Sequence, residues 1–579
     1  MRAIRFLSTL IVATSDAALA ASYPQGAPQT SAAPQAPWSQ KGPWNALRAW
    51  RPRLSLERLI LLSSVFFALV SNHAFWSAAW RLHPGSALFM AALFGVLVAA
   101  NGLVLSLLVW RWSAKLVLTV LLIATALAVH FMSTYGVLMD ADMVRNVLQT
   151  DMKESSELLT PQLALPLLLT AALPALLLWR VRLVERRAVT SLWVRPLFML
   201  GLAILAGVSA LLAPAQVAAM MRNHREVRYL ATPVNYIVAL QQNFKSASPI
   251  HRPARTPIGT DATMVPHAGS KPRLLVFVLG ETVRAQNWGL NGYARQTTPE
   301  LARLGVLNFP DMHSCGTSTE VSVPCMFSQL GRRHYDEHAI RQQQSLLHVL
   351  EHAGIKTLWR DNQSGCKGVC DGLAIERLDD AKVPGLCAHG RCLDEILLHD
   401  LEAQVRAKPG DRVVVLHQLG NHGPNYFQRY PGNFRRFTPP CEDPELGNCR
   451  PEDIVNAYDN SILYTDHFLA RTIEQLRGMD DYDTAMIYVS DHGESLGEKG
   501  LYLHGMPYAI APQEQTRVPM VMWFSSGFAQ ARGLDLACLQ RRAWGRTDHD
   551  VVFPSVLGLM QVKTSVYDPS QDVFAGCSR

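Results

Sequence analysis

Long apolar stretches dominate the first 221 residues of the chain. Five of them lack Asp, Glu, Lys and Arg over more than 20 residues: Leu59–Trp80, Leu82–Trp110, Leu116–Met139, Leu158–Trp179 and Pro196–Met221. A helix of about 20 residues crosses a hydrocarbon core about 30 Å thick. Helices of soluble proteins average only about 11 to 12 residues. The pattern therefore predicts five transmembrane helices rather than buried helices of a soluble protein.

The hydrophobic pattern changes after Met221. The amphipathic stretch Pro233–Phe244 is typical of a helix lying along a membrane surface. The prolines that follow predict a stiff linker: Pro249, Pro253, Pro257, Pro266 and Pro272. From Arg273 short β-rich runs alternate with helical segments, which predicts an α/β fold with a mostly parallel sheet. The clearest runs are Leu274–Leu279, Val413–Leu416 and Ala485–Val489.

Basic residues orient the predicted membrane helices. One side of the membrane would carry fourteen: Arg2, Arg5, Lys41, Arg48, Arg51, Arg53, Arg58, Arg111, Lys115, Arg180, Arg182, Arg186, Arg187 and Arg195. The other side would carry three: Arg81, Arg145 and Lys153. Because cytoplasmic connections are enriched in Lys and Arg, the N-terminus is expected inside. An odd number of spans then places everything after Met221 outside the cytoplasm.

Composition supports a membrane protein with an outer domain. The chain of 579 residues is 49% apolar and only 17% charged, with a net charge of +7. Soluble domains carry about 25% charged residues, so the composition excludes a disordered chain or a nucleic-acid-binding tail, and no nucleic acid partner is expected. All ten cysteines lie between Cys315 and Cys577, as expected for a domain in an oxidising compartment.

The N-terminal residues are open to two interpretations. Met1–Ala21 has a basic start, a short apolar run and small residues, like a secretory signal. Cleavage there would place the arginines from Arg48 to Arg58 outside, against the charge rule, which favours an uncleaved extension. The chain then divides into a cytoplasmic extension (1–55), a five-helix membrane domain (56–221), a bridging helix and linker (222–272) and an outer catalytic domain (273–579).

Metal-ligand residues follow the three clearest β runs. Glu281 follows the first, His417 and His422 follow the second, and Asp491, His492 and Glu494 follow the third. In open α/β sheets the site lies beyond the carboxyl ends of the strands, so these groups are expected to converge. Carboxylate and imidazole together favour a divalent cation, with zinc the leading candidate.

Two further polar patterns remain open on the residues alone. The loop from Ser314 to Cys325 contains several hydroxyls, which serve either as nucleophiles or as helix caps. Asn146, Thr150 and Glu154 are spaced i, i+4, i+8 and so would share one helix face in the outer loop between the third and fourth spans. A solvated polar face would show the same spacing.

Several motifs resemble one family in order along the chain. They are Gly280–Ala285, Gly292–Arg295, Cys315–Cys325, Asn421–Pro424, Ser490–Glu498 and Leu503–Pro507. Together they resemble the lipid A phosphoethanolamine transferases, which include the mobile colistin-resistance enzymes, in the alkaline phosphatase and sulfatase superfamily. The resemblance extends from about Leu59 to about Phe524. It implies a five-helix membrane domain with an alkaline phosphatase-like α/β domain in the periplasm.

The resemblance also implies roles for individual residues. Zinc would be held by Glu281, Thr319, Asp491 and His492, with Thr319 as the nucleophile. A substrate phosphate or a second metal would lie near His422 and His504, with Lys367 and Glu494 beside them. The donor headgroup would contact Asn146, Thr150 and Glu154. Glu320 departs from the small residue expected after the nucleophile and would bring another carboxylate near the metal.

The implied reaction transfers phosphoethanolamine from phosphatidylethanolamine to a lipid A phosphate through a phosphoethanolamine-threonine intermediate. The enzyme is expected to be a monomer in the inner membrane and to confer polymyxin resistance. The alternatives are another acceptor, such as core heptose or a periplasmic glucan, a glycerophosphate transferase, or a hydrolase. Sulfatases place Cys or Ser in a C/S-x-P-x-R setting, whereas Glu-Val-Ser-Val follows Thr319. A metal-binding sensor without turnover would lack the nucleophile.

The resemblance implies four disulfides as well: Cys315 with Cys325, Cys366 with Cys370, Cys387 with Cys392, and Cys441 with Cys449. Cys538 and Cys577 remain and are expected to pair with each other.

Overall fold

A computed structural model describes residues 51–150, 152–185, 188–246, 255–265, 271–388 and 390–578. The expected N-terminal extension lies almost entirely outside the described residues, as does much of the proline-rich linker. The helices before the linker are α1 (Leu56–Val70), α2 (His73–Leu82), α3 (Ala87–Leu108), α4 (Ala114–Tyr135), α5 (Ala141–Gln149), α6 (Met152–Glu157), α7 (Pro161–Arg180), α8 (Ala188–Leu212), α9 (Pro214–Asn223), α10 (Arg225–Arg228) and α11 (Val234–Ser246).

Four helices in the described part of the chain are long and apolar enough to cross a membrane: α3, α4, α7 and α8. The first expected span is instead a pair, α1 and α2, bent by 62°. Asn72 lies at the bend and donates from Nδ2 to the main-chain oxygens of Phe67 and Thr232, each at 2.8 Å. The Asn72 side chain thus holds the end of α1 and links the bend to Thr232, which precedes α11.

The last expected span is shorter than its apolar run. It ends with α8 at Leu212, and α9 begins separately at Pro214. Proline has no N–H to donate to the preceding turn, so the chain breaks although both sides are apolar. The amphipathic stretch after it does form a helix, α11, and Asn243 there donates from Nδ2 to the main-chain oxygen of Ala141 on α5 at 2.8 Å.

The outer loop between α4 and α7 contains two helices rather than one. Thr150 follows α5 with ψ of 132°, so the helix stops there and α6 starts afresh. The prediction that Asn146, Thr150 and Glu154 share one helix face is therefore wrong. The side chain of Glu154 lies outside the described residues.

The C-terminal region is built on an eight-stranded mixed sheet. Its strands are β1 (Arg273–Gly280), β2 (Leu307–His313), β3 (Lys356–Asp361), β4 (Ile375–Arg377), β5 (Arg412–His417), β6 (Asp483–Ser490), β7 (Arg517–Phe524) and β8 (Thr547–Asp548). The strand order is β8-β2-β7-β6-β1-β5-β3-β4. Strand β7 runs antiparallel to β6 and β2, and the other neighbouring strands are parallel. The three β runs expected from the sequence are confirmed as β1, β5 and β6.

The helices of this region are α12 (Pro299–Leu304), α13 (Thr319–Met326), α14 (Glu337–Gln342), α15 (Leu346–His352), α16 (Leu401–Arg406), α17 (Pro451–Arg477), α18 (Gln513–Thr516), α19 (Ser526–Ala531), α20 (Leu536–Ala543) and α21 (Val552–Leu559). Strand β1 is buried on both faces, which explains its continuous apolar run. Leu275 and Phe277 pack with residues of α13, α15 and α21, whereas Val276 packs with those of α17. The sheet thus lies between two helical layers.

Disulfides link all ten cysteines in the five expected pairs. The bond between Cys315 and Cys325 closes the loop that leads into α13, which carries two of the candidate hydroxyls, Thr319 and Ser322.

Candidate active site

A buried cluster of ligand atoms lies where β1 and β6 end. Glu281 directly follows β1, and Asp491 and His492 directly follow β6, whose Ser490 is paired with Gly280. The three residues are fully buried, and their candidate ligand atoms lie within 4.8 Å of one another. His492 Nε2 is 3.3 Å from Glu281 Oε1 and 3.4 Å from Asp491 Oδ2. The structure therefore brings these three predicted ligands together.

The electrostatics of this cluster fit a cation. Glu281 Oε1 and Asp491 Oδ2 are buried without a hydrogen-bond partner in the described structure. Burial, together with the charge of Glu281, raises the pKa of Asp491 to about 7. Burial opposes protonation of His492, yet the two carboxylates raise its pKa to about 10. Two carboxylates held beside one imidazole in a dry site are the donor set of a divalent metal.

Thr319 supplies the hydroxyl closest to this cluster. It is the first residue of α13, is 6% exposed, and donates from Oγ1 to Glu281 Oε2 at 2.9 Å. Its Oγ1 is also 3.4 Å from His492 Nε2. Neighbouring hydroxyls bond elsewhere, since Thr317 donates to the main-chain oxygen of Met506 at 2.7 Å and Ser322 donates to that of Asp491.

A second group of residues lies beside the cluster. The rings of His422 and His504 are 5.3 Å apart, and that of His504 is 4.4 Å from the ring of His492. Glu494 is fully buried and holds His504, with Oε2 2.8 Å from Nδ1, while its Oε1 accepts from Tyr426 at 2.8 Å. Burial and the positive charge of His492 lower the pKa of His504. Glu494 is thus placed to orient His504 rather than to meet a substrate.

Two further residues were predicted near the site, Lys367 and Glu320. Lys367 donates from Nζ to Ser364, and its role beside the substrate phosphate stays a prediction. Glu320 follows Thr319, but its carboxylate pairs with Arg341 Nη2 at 2.6 Å and is not one of the clustered ligands. The charge that Glu320 brings near the predicted metal is therefore paired with Arg341.

The segment between α4 and α7 also reaches this site. Glu157 at the end of α6 pairs with Arg429 at 2.7 Å and with Arg391 at 2.8 Å. Arg429 in turn donates from Nε to the main-chain oxygen of His422 at 2.7 Å. These residues, with Lys153, line a solvent-open pocket that extends to His422. Sequence reasoning missed Glu157, Arg391 and Arg429, because only the folded chain brings them to His422.

The Thr150 hydroxyl donates to the main-chain oxygen of Asn146 at 2.7 Å, so these two predicted headgroup residues lie together at the end of α5.

Sequence reasoning also missed His549, which supports the nucleophile loop. His549 is fully buried; its Nδ1 accepts from the Cys315 N–H at 3.1 Å and its Nε2 donates to the main-chain oxygen of Ser490 at 3.0 Å. It thus ties the start of the Cys315–Cys325 loop to the end of β6. Its Nδ1 is also 3.3 Å from the Ser322 hydroxyl. No motif marks this histidine, since its partners come from distant parts of the chain.

His549 is expected to make the fold sensitive to acid. Burial lowers the pKa of His549 from 6.5 to about 3, so the folded protein holds it neutral where the unfolded chain would protonate it. Its contribution to stability is complete above pH 6.5 and falls below that pH, by roughly 1.4 kcal/mol per pH unit. Unfolding of the purified protein between pH 7 and 5 measures this slope. His549→Gln should flatten it, and the exposed His338→Gln should not; equal slopes for the native protein and His549→Gln would contradict the assignment.

Comparison with known proteins gives a consistent picture. The sulfatase family matches residues 273–562, and the family described as phosphoethanolamine transferase EptA/EptB matches residues 97–247. The phosphoethanolamine transferase EptA of Escherichia coli K12 is 37% identical over 544 residues, covering 91% of this chain and 98% of the relative. The phosphatidylethanolamine transferase Mcr-1 of Escherichia coli is 39% identical over 500 residues, covering 81% of this chain and 90% of the relative.

A solved structure is similar over both regions. The integral membrane lipooligosaccharide phosphoethanolamine transferase A of Neisseria meningitidis superimposes with a TM-score of 0.87 at 38% identity, covering 91% of this chain and all of that protein. The similarity includes the membrane helices as well as the α/β region.

Proposed function

The chain belongs to the phosphoethanolamine transferase family of the alkaline phosphatase and sulfatase superfamily, and from that premise we propose that it transfers phosphoethanolamine from phosphatidylethanolamine to a phosphate of lipid A. The observation that carries the proposal is the Thr319 hydroxyl, which is bonded to Glu281 at 2.9 Å inside the buried ligand cluster. It places one nucleophile at a metal-type site at the end of the sheet.

Zinc is the metal that we propose for this site. Glu281, Asp491 and His492 would hold it together with the Thr319 oxygen, a set of four oxygen and nitrogen donors typical of zinc. When bound, the metal supplies positive charge that favours the threonine alkoxide and stabilises the phosphate oxygens. A second metal near His422 and His504 remains an alternative to direct contact of these histidines with the phosphate.

The reaction proceeds by double displacement. Thr319 Oγ1 forms a bond to the donor phosphorus, its proton passes toward Glu281 Oε2, and the bond from phosphorus to the diacylglycerol oxygen breaks. Diacylglycerol leaves with the electron pair and takes up a proton. A lipid A phosphate oxygen then forms a bond to the same phosphorus. The bond from phosphorus to Thr319 Oγ1 breaks, Oγ1 keeps the electron pair, and it takes up a proton to restore the hydroxyl. His422 and His504 lie on the side of the cluster where they can donate to phosphate oxygens.

The donor headgroup would lie between the outer loop and the C-terminal region. We assign it Asn146, Thr150 and Glu154 as contacts. Lys367 would lie beside the phosphate near His422 and His504, with Glu494 holding His504 in place. The names of the relatives support both substrates, since one is named for phosphatidylethanolamine and another for lipooligosaccharide. Adding an ethanolamine amine to lipid A lowers the negative charge of the outer membrane, so polymyxin resistance is the expected consequence. We propose that the enzyme acts as a monomer.

Mass spectrometry of lipid A tests this function. Cells that express the protein should contain lipid A with added phosphoethanolamine, and cells that express the Thr319→Ala variant should not. Modification of core heptose or of a periplasmic glucan with unmodified lipid A would establish the alternative acceptor. No modified lipid or glucan in cells with the native protein would contradict the proposal.

The orientation of the protein in the inner membrane is a further prediction. The excess of basic residues on one side of the membrane helices and the five disulfides beyond them support a C-terminal domain in the periplasm. Alkaline phosphatase, which is active only outside the cytoplasm, should be active when fused after residue 265 and inactive when fused at Glu185, between α7 and α8. Activity in the reverse order would contradict this topology.

A further inference from the structure

Four charged side chains form a continuous chain between α5 of the membrane region and α13, which begins with Thr319. In order they are Arg145 on α5, Glu337 and Arg341 on α14, and Glu320 on α13. Arg145 Nη1 lies in close contact with Glu337 Oε1, and Arg341 Nε is 2.9 Å from the same oxygen. Arg341 Nη2 is 2.6 Å from Glu320 Oε1. The charges alternate, so each inner group lies between two of opposite sign.

At Glu320 this series of ion pairs is buried, and Arg341 makes two contacts with α13 there. The Glu320 side chain is 1% exposed, and Arg341 Nη2 donates to its main-chain oxygen at 2.9 Å as well as to its carboxylate. A carboxylate in such a place is costly unless a partner compensates its charge. The two bonds fix the first turn of α13, and Thr319 is the residue before Glu320.

The other end of the chain is fixed to α5. The Arg145 side chain is 11% exposed and also pairs with Asp142 at 3.3 Å, one turn earlier on α5. Met143 on α5 also packs closely against Gly505, next to His504. A Cβ atom at this glycine would lie only 2.5 Å from the Met143 side chain. Gly505 donates from its main-chain N–H to the oxygen of Thr317 at 2.8 Å.

We propose that Glu320 and Glu337 are positioning residues. They hold Thr319 at a fixed position relative to the surface of α5 that receives the donor lipid headgroup. The inference rests on the proposed function, because it takes Thr319 as the nucleophile and α5 as part of the headgroup site. Neither glutamate touches the reacting atoms; they act through Arg341 and Arg145. Displacement of a nucleophile by about 1 Å can lower a rate by about 100-fold, so such a link has a measurable effect.

Two phosphoethanolamine donor substrates, tested with the full-length protein, distinguish a loss of positioning from a loss of local stability. The first is phosphatidylethanolamine in nanodiscs, and the second is a water-soluble aryl ester of phosphoethanolamine, which has no lipid to place against α5. Glu337→Gln keeps the shape of the side chain and removes the charge that joins Arg145 to Arg341. We expect it to lower kcat with the lipid about tenfold or more and to change the rate with the soluble ester less than about threefold.

The double variant completes the test. If Glu320 and Glu337 act through one chain, Glu320→Gln with Glu337→Gln should be no slower with the lipid than the slower single variant. The matched control is Glu402→Gln, which removes a half-exposed carboxylate paired with Arg406 at 2.6 Å on α16 and should behave as the native protein. Multiplied losses in the double variant, or equal losses with both donors, would overturn the inference. If Thr319→Ala remained active in the same assay, the proposed function itself would fail.

Discussion

Replacing Thr319 with alanine is expected to abolish transfer of phosphoethanolamine and to leave the fold intact. The variant loses the hydrogen bonds of the Thr319 hydroxyl to Glu281 and His492, but no large apolar surface. Removal of a covalent nucleophile in other enzymes lowers kcat by about 10⁴-fold or more, and we expect a loss of that order here. Transfer from phosphatidylethanolamine to purified lipid A, followed by mass spectrometry, measures it.

Neighbouring hydroxyls provide the controls for this variant. Thr317→Ala removes a bond of 2.7 Å to the main-chain oxygen of Met506, a contact worth about 1 kcal/mol of stability, and should retain most of the activity. Thr319→Ser should retain some activity, because it keeps the hydroxyl but loses the methyl group that restricts its rotamer. Transfer by Thr319→Ala at more than about a tenth of the native rate would contradict the assignment.

Removing one carboxylate of the ligand cluster is expected to lower both the metal content of the protein and its transferase activity. Asp491 is fully buried, and its Oδ2 has no hydrogen-bond partner among the described residues. Asp491→Asn removes the charge of a ligand. Substitution of residues that only hydrogen-bond to metal ligands lowers metal affinity about 10- to 100-fold, so the loss of affinity here should be larger. The metal content of the purified protein, measured with its rate of transfer, tests this expectation.

A buried aspartate away from the site is the matched control. Asp466 is fully buried and accepts from the main-chain N–H groups of Glu300 and Leu301 at the start of α12, at 2.8 and 2.9 Å. Asp466→Asn should lower stability and leave the metal content unchanged. Chelation of the native protein should abolish transfer, and zinc should restore it. Full activity of metal-free protein would contradict the metal assignment.

The sequence predicted the parts of the fold that depend on local patterns. Strands β1, β5 and β6 were predictable because both faces are buried, which makes their runs continuously apolar. The bend between α1 and α2 was not, because Asn72 bonds there to Thr232, 160 residues away. The break at Thr150 was also missed, since the spacing of polar residues continues through it.

In the site, too, the features that depend on local sequence were predictable and those that depend on long-range contacts were not. Glu281, Asp491 and His492 were predictable as neighbours because each follows a strand of one sheet, and parallel strands end at the same edge. Glu157, Arg429 and Arg341 were not predictable, because their ion pairs join separate elements. Glu157 pairs with Arg429, 272 residues away, and Arg341 on α14 pairs with Glu320 on α13. Glu320 shows the limit of reasoning by adjacency: it follows Thr319, yet its side chain pairs with Arg341 on α14.

The central claim is that Thr319 carries phosphoethanolamine during the reaction. The most direct test is incubation of the purified protein with phosphatidylethanolamine and no acceptor, followed by proteolysis and peptide mass spectrometry. We predict one phosphoethanolamine adduct, on Thr319, which disappears when lipid A is added. An adduct on Thr317, Ser318 or Ser322 instead, or transfer to lipid A by a protein that never carries an adduct, would contradict the account.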